Sequence, residues 1–116
     1  FGLDLDILNF DAYNFAESIA LYPEPLKKFL KDGKYLAWGI VPTSEDINKE
    51  NSDTLVKRMQ SGFGSLEKKG IEKNRLLDSS LITPSCGCGT LKTKDAERVL
   101  RLNIEVSNRL GDIYGR

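Results

Sequence analysis

Three times along the chain a short apolar run gives way to a stretch with helical spacing. In the first, from Leu3 to Phe10, Leu3, Leu5 and Ile7 fall on one side at period two, with Leu8 and Phe10 on the other. A run this short, soon broken by polar residues, predicts a strand. Helical spacing follows from about Asn14 to Leu21, through Phe15 and Ile19 and through Ala16 and Ala20. It resumes after Pro23 and Pro25 through Leu26, Phe29 and Leu30. Pro23 has no N–H and clashes with the preceding turn, so a break or kink is expected there. Gly33 closes the unit.

The second unit opens with Lys34 to Val41, apolar on both faces, as in a parallel strand covered on both sides. Pro42 ends that strand, and Thr43 to Asn51 is expected to be loop. Ser52 or Asp53 is expected to cap a helix carrying Leu55, Val56, Met59, Phe63 and Leu66. Gly62 and Gly64 weaken that helix by about 1 kcal/mol each relative to Ala. Gly70 is its expected stop.

The third unit is shorter. Glu72 to Asp78 predicts a short helix leading into a minimal strand, Ser80 to Thr83, and the stretch Pro84 to Thr90 is too glycine-rich for regular structure. Thr93 is the expected N-cap of the last helix, with Asp95 in its first turn. Its apolar stripe reads Ala96, Val99, Leu100, Asn103, Val106, Leu110 and Ile113. If Asn103 is buried, its amide must find a partner. Three strand–helix units in succession predict an α/β fold of three consecutive βα units, with parallel strands and right-handed crossovers.

Composition narrows the chemistry. The chain has 116 residues, 40% of them hydrophobic, and 17 basic residues balance 17 acidic ones. That length suits one domain. Zero formal charge excludes a basic field that would recruit nucleic acid or a membrane surface. No apolar run approaches the ~18–20 residues of a membrane span. Two cysteines one residue apart cannot frame a disulfide-rich domain. The chain has no histidine, which removes Ser-His and Cys-His catalytic pairs and His-ligated metal sites built from this chain alone. The chain opens at Phe1, and its single methionine is Met59, so it is expected to be a piece of a longer protein.

Parallel α/β folds gather their working residues in the loops that leave the C-terminal ends of strands. Here those loops begin at Asp11-Ala-Tyr13, Pro42-Thr-Ser-Glu45 and Pro84-Ser-Cys-Gly-Cys88, and all three are expected to open on one rim. Cys86 and Cys88 carry the sharpest expectation. A thiolate flanked by Gly87 and Gly89 lies near free backbone N–H groups and suits metal or redox use; small residues in a tight loop are the plainer alternative. Asp11 suits a metal or a substrate amine, or else caps the following helix. Thr43 and Ser44 suit a carboxylate substrate, or else end a loop and cap a helix. Tyr13 and Trp38 line a pocket or join the core. Glu67, Lys68, Lys69, Glu72 and Lys73 read as a solvated helix end.

The succession Phe10-Asp-Ala-Tyr13, Ala37-Trp-Gly-Ile-Val-Pro-Thr43 and Thr83-Pro-Ser-Cys-Gly-Cys-Gly89 resembles the C-terminal catalytic barrel of cobalamin-independent methionine synthase and its shorter microbial relatives. That family belongs with uroporphyrinogen decarboxylase and corrinoid-dependent methyltransferases among the TIM barrels. The similarity covers nearly the whole chain, and its most specific part is the Pro-Ser-Cys-Gly segment followed by a long closing helix.

The resemblance implies that residues 1–116 form a single partial domain, the last three βα units of an eight-unit barrel. It implies zinc-dependent methyl transfer to a thiol such as homocysteine, from a folate or corrinoid donor, in a cytoplasmic parent protein. The family holds zinc by a His-x-Cys pair, an acidic residue and a late cysteine. Cys86 matches the late cysteine, Asp11 falls at the acidic ligand (usually glutamate in the family), and Cys88 has no counterpart. The His-x-Cys pair lies upstream in the family, so the isolated chain is expected to be inactive and to hold zinc weakly or not at all. The alternatives are a decarboxylase-like or corrinoid-dependent relative without homocysteine, or a non-catalytic assembly module. Two uncovered sheet edges make self-association an expectation in either case.

Overall fold

The computed structural model describes residues 7–85 and 92–115, with the side chain of Ala16 excepted. The sheet has three parallel strands in the order β1-β2-β3: β1 Ile7–Phe10, β2 Tyr35–Val41 and β3 Ser80–Pro84. The chain is therefore α/β, with adjacent strands consecutive in sequence, as the repeated strand–helix pattern predicts. β1 and β2 are in register from Ile7 opposite Tyr35 to Phe10 opposite Trp38. β3 follows on the other side, with an irregularity between Gly39 and Val41.

β2 is the middle strand, and every residue from Leu36 to Val41 is buried. That accounts for its apolar character on both faces. Trp38 is fully buried and centres the packing. Its ring lies 5.0 Å from Phe10 and 5.1 Å from Phe63, centroid to centroid, within the range of favourable tilted aromatic pairs. Its indole Nε1 donates to Ser80 Oγ at 3.0 Å, and that hydroxyl donates onward to the Leu76 carbonyl. The one polar atom of the indole is thus satisfied inside the core.

The helices differ from the sequence expectation chiefly at their ends. The stretch expected to be helical from Asn14 is a single α-turn, α1 (Ala12–Phe15), tightening into a 3₁₀ segment, Ala16–Leu21. The break expected at Pro23 is found: the 3₁₀ segment ends at Leu21, and α2 (Pro23–Lys31) begins at the proline. The first N–H groups of a helix have no intrahelical partner, so proline there costs nothing. Leu26, Phe29 and Leu30 face the core. Gly33, at φ +80°, makes the turn into β2.

Within the expected loop after β2 lies a 3₁₀ turn, Glu45–Lys49, that buries Ile47. α3 (Ser52–Lys68) is capped by Asn51, one residue ahead of the expected Ser52 or Asp53. Asn51 Oδ1 accepts from Thr54 N, and Thr54 Oγ1 accepts from Asn51 N, both at 3.0 Å. This reciprocal box satisfies two end groups at once, which neither Ser52 nor Asp53 achieves from inside the first turn. Gly70, at φ +91°, ends the turn after α3.

α4 (Lys73–Ser79) leads directly into β3. α5 (Thr93–Tyr114) has Lys92 at its N-cap position, so Thr93 is its first residue and not its cap. Its buried residues are Val99, Leu102, Val106 and Leu110. Leu100 and Ile113, expected on the stripe, are exposed, and Leu102 takes the inward place. Asn103 does find a partner: its Nδ2 donates to the Ile82 carbonyl at 3.3 Å, while Oδ1 is buried without one among the described residues. No helix among those residues is long and apolar enough to cross a membrane.

Candidate functional site

Parallel strands deliver their C-terminal ends to one rim, and here β1 delivers Asp11, β2 delivers Thr43 and β3 delivers Ser85. Gly39 draws the outer two together over the middle one. A Cβ at position 39 would stand 2.8 Å from the Phe10 carbonyl oxygen and 2.9 Å from Ser85 Cα. Only a residue without a side chain permits that approach. The result is a cleft of about 340 Å³ lined by Asn9, Phe10, Asp11, Thr83, Pro84 and Ser85.

Hydrogen bonds tie the rim across the sheet. Ser85 N donates to the Val41 carbonyl at 2.8 Å, and the buried Thr43 shares a hydrogen bond of 3.2 Å with Ser85 through their hydroxyls. Thr43 is thereby held at the cleft's edge. Ser44 is not: it is exposed, accepts from Asp46 N at 3.3 Å and donates to Asp46 Oδ2 at 3.2 Å. Of the two hydroxyl residues expected to bind substrate, Ser44 is occupied with capping the 3₁₀ turn.

Asp11 lies in the cleft and also caps α1. Its Oδ1 accepts from Asn14 N at 3.2 Å, and its Oδ2 accepts from Asn14 Nδ2 at 2.9 Å. Each carboxylate oxygen retains a lone pair after one such bond, so capping and ligation are compatible. Cys86 and Cys88 lie outside the described residues. Among the described residues no group of three or more Asp, Glu, Cys or His side chains gathers as a metal site would require. With no histidine in the chain, Asp11 and Cys86 fall short of the three or four protein ligands of a zinc site.

A second polar cluster lies on the helical side. The Tyr13 hydroxyl donates to Glu50 Oε2 at 2.6 Å, and Arg58 donates to the same oxygen at 3.4 Å while its guanidinium lies 4.3 Å from the Tyr13 ring centroid. Arg98 holds the backbone of the same loop, donating to the carbonyls of Ile47 and Glu50. Burial, reinforced by the hydrogen bond to Glu50, pushes the Tyr13 phenol up to about 12. Burial works against the Glu50 carboxylate, but hydrogen bonds from Tyr13, Thr54 and Arg58 outweigh it and hold Glu50 below its ordinary value. Sequence pattern gave no signal for this cluster, because Glu50 and Arg58 look like surface charges until the fold brings Tyr13 to them. It fixes the loop that follows Thr43.

No protein-family model, no curated protein and no solved structure significantly matches the chain.

Proposed function

We propose that this chain is the last three βα units of a zinc-dependent methyltransferase barrel, of the type that methylates a thiol such as homocysteine. The observation that carries the reading is that Asp11 and Ser85 line one cleft, with Thr43 hydrogen-bonded to Ser85 beside it and Cys86 next in sequence after Ser85. Consecutive parallel strands in the order β1-β2-β3 are what a barrel portion requires. The strand-end motifs that resemble the methionine synthase barrel reach this rim at Asp11, Thr43 and Ser85.

In this reading Asp11 and Cys86 are the chain's contribution to the metal, and the remaining ligands come from outside it. Zinc, when bound, holds a thiol as its thiolate near neutral pH. Thr43 is this chain's candidate for a hydrogen bond to a polar group of the substrate, and the methyl donor, folate or corrinoid, would approach from outside these three units. Alone, the chain is inactive because its ligand set is incomplete.

The reading is tested by the coding sequence upstream of Phe1. A His-x-Cys pair at the end of a preceding strand would supply the missing ligands. A continuous upstream barrel without that pair would remove zinc methyl transfer from consideration.

A further inference from the structure

Between α3 and the segment that follows β1 lies a polar pocket of about 160 Å³, separate from the rim cleft. One wall is a stripe of α3, formed by Arg58, Ser61, Gly62 and Ser65, whose three- and four-residue spacings put them on one helix face. The other wall is Ala12 and Tyr13 of α1, with Glu17 of the 3₁₀ segment. Ala12 and Gly62 are buried and make the floor, while Glu17, Arg58 and Ser61 are exposed at the mouth.

The polar groups here are only partly used. Arg58 gives one N–H to the Tyr13 carbonyl and one to Glu50, leaving most of the guanidinium fork unassigned among the described residues. Glu17, Ser61 and Ser65 have no hydrogen-bond or ion-pair partner among those residues. Glu17 and Arg58 thus line one pocket with their charged ends too far apart to bond each other. A simple anion would meet the Glu17 carboxylate, and Glu50 already answers part of the Arg58 charge. A simple cation would meet Arg58. A molecule with an ammonium and a carboxylate side by side satisfies both, and the serine hydroxyls can accept from one end and donate to the other. Size sets the rest: a cavity of about 150 Å³ takes a molecule as large as benzene, and alanine has as many non-hydrogen atoms.

We propose that this pocket binds a small α-amino acid as its zwitterion, ammonium toward Glu17 and carboxylate toward the unassigned side of the Arg58 guanidinium. Ser61 and Ser65, one turn apart on α3, serve the two ends. The Arg58 side is preset for this: its guanidinium lies 4.3 Å from the Tyr13 ring centroid and is tied to the Tyr13 carbonyl. Because Glu50 takes up part of the Arg58 charge, the ammonium is the more tightly held end. The site uses neither Asp11 nor a cysteine, so it stands or falls separately from the methyl transfer proposed above.

The test is a titration of the isotope-labelled chain with L-alanine, read from the amide resonances of Tyr13, Gly62 and Ser65 by two-dimensional NMR. Those resonances should shift saturably, at millimolar ligand for so open a site. Ethylamine, which carries the ammonium alone, should bind about tenfold more weakly, the loss of one charge-assisted hydrogen bond. Acetate should give no saturable shift. Glu17→Gln removes an exposed charge without a partner, so it should keep the native circular dichroism and weaken alanine binding about tenfold. Ser61→Ala combined with Ser65→Ala, both compatible with a helix, probes the opposite wall and should weaken it as well. No saturable shift with alanine, ethylamine or acetate binding as well as alanine, or a Glu17→Gln chain that binds alanine as the native chain does would each overturn the proposal.

Discussion

Gly62 on α3 lies against the indole of Trp38: a Cβ at position 62 would stand 2.8 Å from Trp38 Cζ3. The glycine that weakens the helix on propensity alone is the one that lets the helix close on the centre of the sheet. Gly64, two residues on, has nothing within 4 Å of its would-be Cβ. The two substitutions should therefore move stability in opposite directions. Gly62→Ala should cost about 1–3 kcal/mol through overpacking against a fully buried ring. Gly64→Ala should gain up to about 1 kcal/mol by restoring helix propensity. Urea unfolding of both variants checks the pair, and equal shifts would contradict the packing described.

The same reasoning applies at the rim. Gly39→Ala sets a methyl group against the backbone of Phe10 and Ser85, which cannot swing aside as a side-chain tip can. The variant should lose about 1–3 kcal/mol. Amide exchange at Ser85 should quicken as its hydrogen bond to Val41 lengthens. Unchanged protection at Ser85 would show that Gly39 does not hold the strand ends together.

Capping gives a comparison between neighbours. Asn51→Ala removes the acceptor for Thr54 N and should cost about 1 kcal/mol. Asp53→Ala takes away an exposed partner of Arg109 and should cost less, in keeping with the small worth of surface ion pairs. Thermal unfolding of the two variants ranks them, and a larger loss at Asp53 would reverse the assignment of the cap.

The Tyr13–Glu50 pair makes stability depend on pH at both extremes. The Glu50 carboxyl is held below its ordinary value of 4.5, so its contribution is present above that pH and is lost as pH falls through the depressed value. The Tyr13 phenol is raised from 10.0 to about 12, so its contribution is present below pH 10 and is lost as pH rises toward 12. Tyr13→Phe should flatten the alkaline limb of a stability–pH profile between those values. An alkaline limb unchanged in Tyr13→Phe would place the titrating group elsewhere.

How far the sequence reads through to the structure depends on how local each feature is. The strands ending at Phe10 and Val41 were legible because short apolar runs stop at turn residues, the third was read one residue short at Thr83 where β3 runs to Pro84, and the shared rim follows from parallel order alone. The cap at Asn51 was misplaced by one residue because Asn51, Ser52 and Asp53 are all good caps, and only the partner Thr54 decides among them. Leu102 was passed over for Leu100 because both fit a helical stripe within a turn; contact with β3 and α3 selects the buried one. The Tyr13–Glu50–Arg58 cluster spans segments whose proximity is set by the fold, so no spacing announces it. Asp11 was read both as ligand and as cap, and its bonds to Asn14 establish the cap.

The proposed function rests on Asp11 at the rim and Cys86, next in sequence after Ser85, both serving as ligands of one metal ion. Anaerobic cobalt(II) titration of the purified chain tests it most directly, because a bound thiolate gives an absorption band that other ligands do not. The native chain should show that band at weak affinity; Cys86→Ser should abolish it, Cys88→Ser should leave it, and Asp11→Asn should weaken binding without removing it. Tight binding by the native chain, or a band that survives Cys86→Ser, would contradict the account.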